Sequence, residues 1–355
     1  MIPDSIFTKL ESMNSSKHKY IIVGQGLCGS FLSYYLKKAG QDIVVYDEAK
    51  PYTASKIASG VINPVTGRRI VKTWMIDTIM PFAVNAYKTI EAELNISIVQ
   101  QTNILDFHPT PQMHQAFETR LAEQAAFLSK PDNPALWRNY FNYPFGIGET
   151  NPCWLIDINN FLNSWRKILL AENLLIEQAY TQALPEEDAI VIYCDGVAGA
   201  SNKYFTQLPF MPNKGQVLLV RIKNLPTKNI YKQGISIVPW KEDLFWVGSS
   251  YEWEFKDEEP SNDFLEKTTN QLKYWLKLPF TIEAHWAGIR PANLERRPFV
   301  GLHPVHQQIG ILNGMGTKGC SLAPFFANQL SNYLLKNEPI TAEADVRRFS
   351  KILSR

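Results

Sequence analysis

Several large classes of protein are excluded by what this sequence lacks. Its four cysteines, Cys28, Cys153, Cys194 and Cys320, are scattered, and none forms a C-x-x-C pair. The usual zinc and thioredoxin-like spacings are therefore missing, and the cysteines read as free thiols of a reducing compartment. The six histidines show no H-x-x-x-H spacing, so no metal site is expected. No apolar run approaches the roughly 20 residues that cross a bilayer. Lys and Arg exceed Asp and Glu by only two, 36 against 34, which argues against nucleic acid or an anionic membrane as partner. There is no internal repeat and no low-complexity tract. Residues 1–18 are polar, with Asp4, Glu11 and several serines, and lack the basic-then-apolar pattern of a signal peptide. They read as a flexible extension, with Met13 as an alternative start, and a cytoplasmic location is expected.

What is present points to a globular enzyme. At 355 residues, 45% hydrophobic and 20% charged, the chain suits two intimately connected domains. The stretch around which it is organised is 19–48. Tyr20 to Val23 is a short apolar β-branched run, read as a buried parallel strand. Gly24, Gly26 and Gly29 follow as G-x-G-x-x-G. Phe31, Leu32, Tyr35 and Leu36 then recur at helical spacing, with Lys37 and Lys38 in the last turn and Gly40 as C-cap. Ile43 to Tyr46 is a second buried strand, ending on Asp47. In this order the parts form a dinucleotide-binding unit. Gly24 permits the turn, Gly26 lets the backbone approach a pyrophosphate, and Gly29 lets helix and strand pack. The pyrophosphate is held at the positive helix end. Asp47 is an acceptor for ribose hydroxyls and would repel a 2′-phosphate, which disfavours NADP.

Farther along, residues 52–69 are small and polar without helical period and read as a loop over a cofactor. Helices are expected over 77–95, 112–128, 157–170 and 264–278. Residues 130–153, rich in proline and aromatics, are expected to wrap a domain junction without regular structure. Ile190 to Tyr193 is a third buried strand before Gly196. Residues 215–222, 234–239 and 244–253 read as strands of a mainly antiparallel sheet. The C-terminal part carries His285-Trp-Ala-Gly-Ile-Arg-Pro, then Pro298-Phe-Val-Gly, a strand over 309–312, and Gly314-Met-Gly-Thr-Lys-Gly-Cys before a helix to about Leu335. Pro324 is expected in the first turn of that helix, and 337–355 is expected to taper into a polar tail.

Taken with the first unit, these blocks give a resemblance. The chain resembles the D-amino-acid oxidase superfamily of FAD enzymes, above all its glycine oxidase and sarcosine oxidase branch, over about 19–349. Val23-Gly-Gln-Gly-Leu-Cys-Gly with Asp47, Ser55-Lys-Ile-Ala-Ser-Gly-Val, and Trp286-Ala-Gly-Ile-Arg-Pro with the two later glycine blocks carry it. The resemblance implies an α/β fold: a discontinuous Rossmann-like FAD-binding domain (19–80, 150–205, 284–355) and a substrate domain with a mixed or antiparallel sheet (81–149, 206–283). FAD is the implied cofactor. Leu27 and Cys28 would lie along the pyrophosphate, and Asp47 and Glu48 at the adenosine ribose. Ser55, Ser59, Gly60 and Val61 would line the flavin, Gly196 would close on it, and Gly314, Met315, Gly316, Thr317, Lys318, Gly319 and Cys320 would hug its pyrimidine side. The helix end after Gly319 would there stabilise reduced flavin. Read without the family, the alternative for Gly314–Gly319 is a flexible turn before a helix, but three glycines in six residues favour close approach to a planar ligand.

Three residues are candidates for the chemistry. The family's arginine in Gly-x-Arg-Pro holds a substrate carboxylate, and Arg290 stands in its place, a fork that matches a carboxylate; the alternative is a structural salt bridge, for instance to Glu295. Lys318 is either a cation near the flavin or solvated. Tyr251 is either a pocket side chain or strand packing. The sequence departs from glycine oxidase at Ser236 and Thr317, where the family has a pocket tyrosine and a second arginine, which suggests an amine other than glycine. The implied activity is oxidation of the C–N bond of an amino acid or N-substituted amino acid by hydride transfer to flavin N5, with O2 or another electron acceptor. The alternatives are a wobble-uridine-modifying relative acting on tRNA, and a non-catalytic or NAD-dependent nucleotide binder.

Overall fold

The computed structural model describes residues 19–67, 70–123, 125–181 and 188–355; the expected N-terminal extension lies outside them. In chain order the strands are β1 (Tyr20–Val23), β2 (Ile43–Tyr46), β3 (Val61–Ile62), β4 (Val65–Thr66), β5 (Val71–Lys72), β6 (Val99–Phe107), β7 (Leu128–Ser129), β8 (Ile147–Ile156), β9 (Leu175–Ile176), β10 (Ile190–Tyr193), β11 (Asn213–Arg221), β12 (Asn229–Gln233), β13 (Ile235–Lys241), β14 (Leu244–Gly248), β15 (Thr281–Arg290), β16 (Phe299–Leu302) and β17 (Ile309–Asn313). They form two main sheets in a mixed α/β fold, as expected.

The first sheet runs β16-β17-β10-β1-β2-β9. All pairs are parallel except β16 on β17. Its strands are short apolar runs because both faces are covered. Phe31, Tyr87, Phe161 and Phe326, from four helices, pack one side, and Phe205, Leu208, Val346 and Leu353 pack the other. Since β1, β2, β10 and β17 run in parallel, their C-terminal ends share one edge. Gly24, Asp47, Asp195 and Gly314 all follow those ends, and such an edge is where open α/β sheets bind ligands.

The second sheet runs β15-β11-β14-β13-β12-β6-β8-β3, with β6 and β12 the parallel pair. By pairing, β3, β8 and β15 belong to it, so residues flanking the first sheet's segments cross into the second. One face buries Leu105, Phe107, Leu218, Tyr231 and Phe245 beneath the helix Asn262–Trp275. The other, with Ile104, Ile230, Val238 and Trp246, includes the cavity described below.

Several elements differ from expectation. The helix expected over 112–128 is Pro111–Ala122; Leu128 and Ser129 instead pair with β8. Residues 130–153 are not irregular throughout, for β8 begins at Ile147. Pro152 obscured it, but the β6–β8 register shifts at that point, Thr102 facing Cys153 and Ile104 facing Thr150. This bulge leaves Asn151 and Pro152 outside the ladder, where a missing N–H costs nothing. The strand expected over 244–253 stops at Gly248, and Tyr251 lies beyond it, 52% exposed. Pro324 is not in the first turn: its helix is Gly319–Lys336, so it is the sixth residue and removes one interior hydrogen bond. The C-terminal segment is no tail, since Ala344, Asp345, Val346 and Leu353 are buried and Val300 N donates to Ala344 O.

Candidate active site

The glycines of the first unit are fixed by close contacts. Gly24 has φ +98°, and a Cβ there would lie 2.6 Å from Cys194 O. A Cβ on Gly29 would lie 1.8 Å from Gly24 O. Gly26 is different, since only the Ser55 side chain, 3.0 Å away, is near; space is left there for a ligand's backbone. Ser55 Oγ also accepts from Leu27 N at 3.2 Å, which places the predicted loop serine at the predicted helix end.

A contrast among the helices supports an anionic ligand. The helices Pro111–Ala122, Ile158–Ala171 and Asn262–Trp275 are capped by the side chains of Thr110, Asp157 and Ser261, and Ile76–Leu94 has Asp77 in its first turn. Among the described helices of eight or more residues, Leu27–Lys38 and Gly319–Lys336 alone have neither a side-chain cap nor an acid in the first turn. These are the two that follow the glycine motifs. They meet: a Cβ on Gly319 would lie 3.3 Å from Leu27 Cδ1. No acid and no N-cap side chain of their own offsets their partial positive ends, as suits a pyrophosphate and an electron-rich ring edge. Gly196 has φ +60° with nothing within 4 Å of a Cβ, so open space adjoins it too. The residues therefore fit a dinucleotide cofactor.

Asp47 is more engaged than a lone ribose acceptor. Its Oδ2 accepts from Gln25 N at 2.8 Å, and its Oδ1 from Ala49 N at 2.9 Å and Arg166 Nη1 at 3.0 Å. Arg166 also donates to Gln25 Oε1 at 2.8 Å and Glu177 Oε1 at 2.6 Å. Sequence reasoning missed this arginine, which lies on the helix Ile158–Ala171, 119 residues away. Glu48 is turned to Lys50, 3.0 Å away. A carboxylate has about four acceptor positions, so Asp47 retains capacity for one ligand hydroxyl. Asp47→Ala is expected to lower cofactor occupancy on dilution, the loss being one charge-assisted hydrogen bond of about 1.5–3 kcal/mol. Full occupancy of the diluted variant would exclude the ribose role.

Asp195, at the end of β10, adds a pH dependence. Burial above all lifts its carboxyl to about 6, against hydrogen bonds from Asn202 and Asn313 that hold it down. The folded protein thus keeps a proton that the unfolded chain releases near 3.8. That contribution to stability is complete below the lower value and lost as pH rises through the upper one. Asp195→Asn is expected to raise the melting temperature at pH 7 and to have little effect at pH 4. An equal shift at both pH values would refute it. Burial also pushes the Cys28 and Cys320 thiols up to about 12, so neither is a ready nucleophile.

The loop carrying Ser55 to Val61 is pinned from three sides. Trp246 Nε1 donates to Ile57 O at 2.8 Å, and Asn159 Nδ2 to Lys56 O at 2.9 Å. Gly288 supplies the third, since a Cβ there would lie 2.6 Å from Ile57 Cδ1. The glycine of Trp-Ala-Gly-Ile-Arg-Pro is therefore where the loop crosses β15. Gly60, expected at the flavin, is also demanded by packing: its φ is +80°, and a Cβ would lie 1.9 Å from Ile156 O.

Arg290 ends β15 and is directed onto Gly215 of β11, where a Cβ would lie 1.9 Å from its Nη2. Nη1 donates to Asn213 Oδ1 at 2.6 Å and Ser250 O at 3.2 Å, and Nη2 to Ser249 Oγ at 2.7 Å. All three acceptors are neutral. Glu295, the alternative partner, pairs with Arg348 at 3.0 Å. Among the described residues no carboxylate lies within ion-pair distance of Arg290, and burial lowers its pKa against the pull of Tyr251 and Glu252. The Tyr251 ring lies 5.5 Å from the guanidinium. Asn213, Gly215 and Ser249 were missed; a glycine opening the strand run 215–222 was the available signal.

A cavity of about 260 Å³ joins this corner to the loop, lined by Ser59 and Val61 on one side and Ser236, Trp246 and Ser249 on the other. Ser236 thus faces it, as its alignment with a pocket position predicts. Thr317 is exposed and is not part of its wall. Lys318 is half-buried next to Arg296 and Arg297; burial first, then these arginines, lower its pKa.

Comparison with known proteins follows the same lines. Residues 19–332 match the family model "FAD dependent oxidoreductase" (DAO). Glycine oxidase of Bacillus subtilis strain 168 is 30% identical over 145 residues, 39% of this chain and 39% of that protein. The matched stretch thus spans about two fifths of such a relative. A bifunctional protein of Acinetobacter baylyi, for tRNA 5-methylaminomethyl-2-thiouridine biosynthesis, is 22% identical over 361 residues, 94% of this chain and 55% of that one. The crystal structure of glycine oxidase from Geobacillus kaustophilus superposes with a TM-score of 0.78 at 16% identity, covering 94% of this chain and 98% of that one, a likeness of fold. Among the described residues no helix is long and apolar enough to cross a membrane.

Proposed function

From a chain that belongs to the DAO family of FAD-dependent oxidoreductases, we infer an enzyme that oxidises the C–N bond of an amino acid or N-substituted amino acid. FAD, when bound, accepts the two electrons and the hydrogen leaving the carbon next to nitrogen, so that an imine remains for water to hydrolyse. The protein binds, orients and excludes water. The first sheet and its two open helix ends carry the cofactor, and the second sheet carries the substrate.

One observation supports this reading above the others: a half-buried guanidinium held by Asn213, Ser249 and Ser250 through neutral oxygens only, next to Ser249 in the wall of a cavity that runs to the Ser59–Val61 loop. A guanidinium so fixed is ready for an anion, since a carboxylate would supply the missing charge in the fork geometry it already presents. Holding the acid fixes the position of the carbon beside it, and a fixed reacting carbon lowers the barrier by prepaid orientation. Tyr251, exposed and 5.5 Å from the guanidinium, would cover its face.

The test is anaerobic mixing of the purified yellow protein with a panel of amino acids and N-alkyl amino acids, following flavin absorbance. Bleaching by at least one member is expected, and none by the corresponding simple amines. A colourless protein that ignores added FAD, or bleaching by amines and acids alike, would overturn the assignment.

A further inference from the structure

We propose that the substrate is an amine bearing two carboxylates, the first held at Arg290 and the second at Lys232. The proposal rests on the amino-acid reading above and narrows it.

Among the described residues, Lys232 is the one charged residue in the wall of the 260 Å³ cavity. It is on β12, in register with Asp106 of β6 on one side and Ser236 of β13 on the other. Its Nζ donates to Asp106 Oδ2 at 2.6 Å. Asp106 is outside the cavity wall, so the carboxylate stands behind the ammonium and holds it in place. An ammonium has three N–H groups, and this contact uses one. The other Asp106 oxygen, Oδ1, is buried without a partner among the described residues, so the pair is not a closed structural unit.

Register sets the span. Ser236 pairs with Lys232, and Gly248 pairs with Ser236, so one row of the sheet runs Lys232–Ser236–Gly248 along the cavity face. Ser249, next in the chain, accepts from Arg290. Two strand spacings make about 10 Å between the backbones at the two ends. The side chains in between are a hydroxymethyl and a hydrogen. The flanks are apolar, Ile104, Ile230 and Val238. Lys232 thus faces the cavity at one end, and at the other Arg290 stands directly behind the wall residue Ser249. A monocarboxylic amino acid engages one cation and leaves the other without an anionic ligand. Ser236 gives the lysine its access: a large side chain there would stand directly before it.

The experiment uses the full-length, FAD-loaded protein and unreactive acids, so that it reads binding. Malonate, succinate and glutarate are compared with acetate, propionate and butyrate by thermal shift and by perturbation of the flavin spectrum. The wild type is expected to bind its best dicarboxylate at least tenfold more tightly than any monocarboxylate. Lys232→Met is expected to bring that ratio near one. Ser236→Tyr is expected to do the same from the opposite strand, and stands in if Lys232→Met fails to fold. A wild-type ratio near one, or a ratio kept in both variants, overturns the proposal. N-carboxyalkyl and N-alkyl amino acids are then compared as reductants. Bleaching without a dicarboxylate preference overturns the proposal and leaves the reading of function intact. A Lys232-dependent binding ratio with no bleaching by any amine overturns that reading and upholds the second anion site.

Discussion

Arg290→Ala is expected to abolish the preference for an amino acid over its decarboxylated amine while FAD stays bound. The wild-type guanidinium is positioned by Asn213, Ser249 and Ser250 and has no acidic partner among the described residues. Its removal therefore strands no buried carboxylate of the protein, and the loss falls on the ligand. Two charge-assisted hydrogen bonds are at stake, about 3 kcal/mol or more, a hundredfold or more in kcat/KM for the acid. The amine, which never used the fork, changes little, so the ratio separates this outcome from general damage. Lys keeps the charge but not the fork, and Arg290→Lys is expected to be partly active. Gly215→Ala reaches the same phenotype by another route, since its methyl would occupy the position of Nη2. If Arg290→Ala still discriminates acid from amine as the wild type does, the carboxylate is held elsewhere.

Gly29→Ala is expected to cost the cofactor and much of the stability. Its Cβ would lie 1.8 Å from the carbonyl oxygen of Gly24, and that turn cannot retreat, because Gly24 is itself backed by Cys194 O. The helix must move off β1, and with it the open N-terminus that meets the pyrophosphate. Overpacking of this kind against backbone costs about 1–3 kcal/mol or more. Flavin-to-protein ratio and melting temperature read the two losses. Gly40→Ala is the control: φ there is +72°, but nothing lies within 4 Å of a Cβ, so only the left-handed backbone is strained, by about 1 kcal/mol. Equal behaviour of the two variants would mean that Gly29 is a matter of backbone freedom alone.

The nucleotide-binding unit was legible from the chain because its determinants are local. A β-branched run, three spaced glycines, a 3.6-residue apolar stripe and a terminal acid lie within thirty residues, and each acts on its neighbours. Arg290 was legible as a candidate for the same reason, standing at a strand end inside a short motif. β8 was not, because a proline in its middle is read as a breaker, and the bulge in β8 that accommodates it forms only against β6, some fifty residues earlier. The burial of the C-terminal segment was equally hidden, since its few apolar residues have no period and only the sheet edge they meet gives them a face.

The sequence by itself determined the first sheet's central strands, the two open helix ends and the residue types that meet a dinucleotide, since these follow from short-range pattern and backbone geometry. Only the tertiary structure decided what surrounds them. It turned Glu295 to Arg348 and left Arg290 with no carboxylate at ion-pair distance among the described residues. It brought Arg166 to Asp47 across 119 residues, and it laid Lys232, Ser236 and Gly248 in one row. Those relations depend on strand register and on which helix crosses which sheet, and register is set by summed packing over the whole face rather than by any local run of residues.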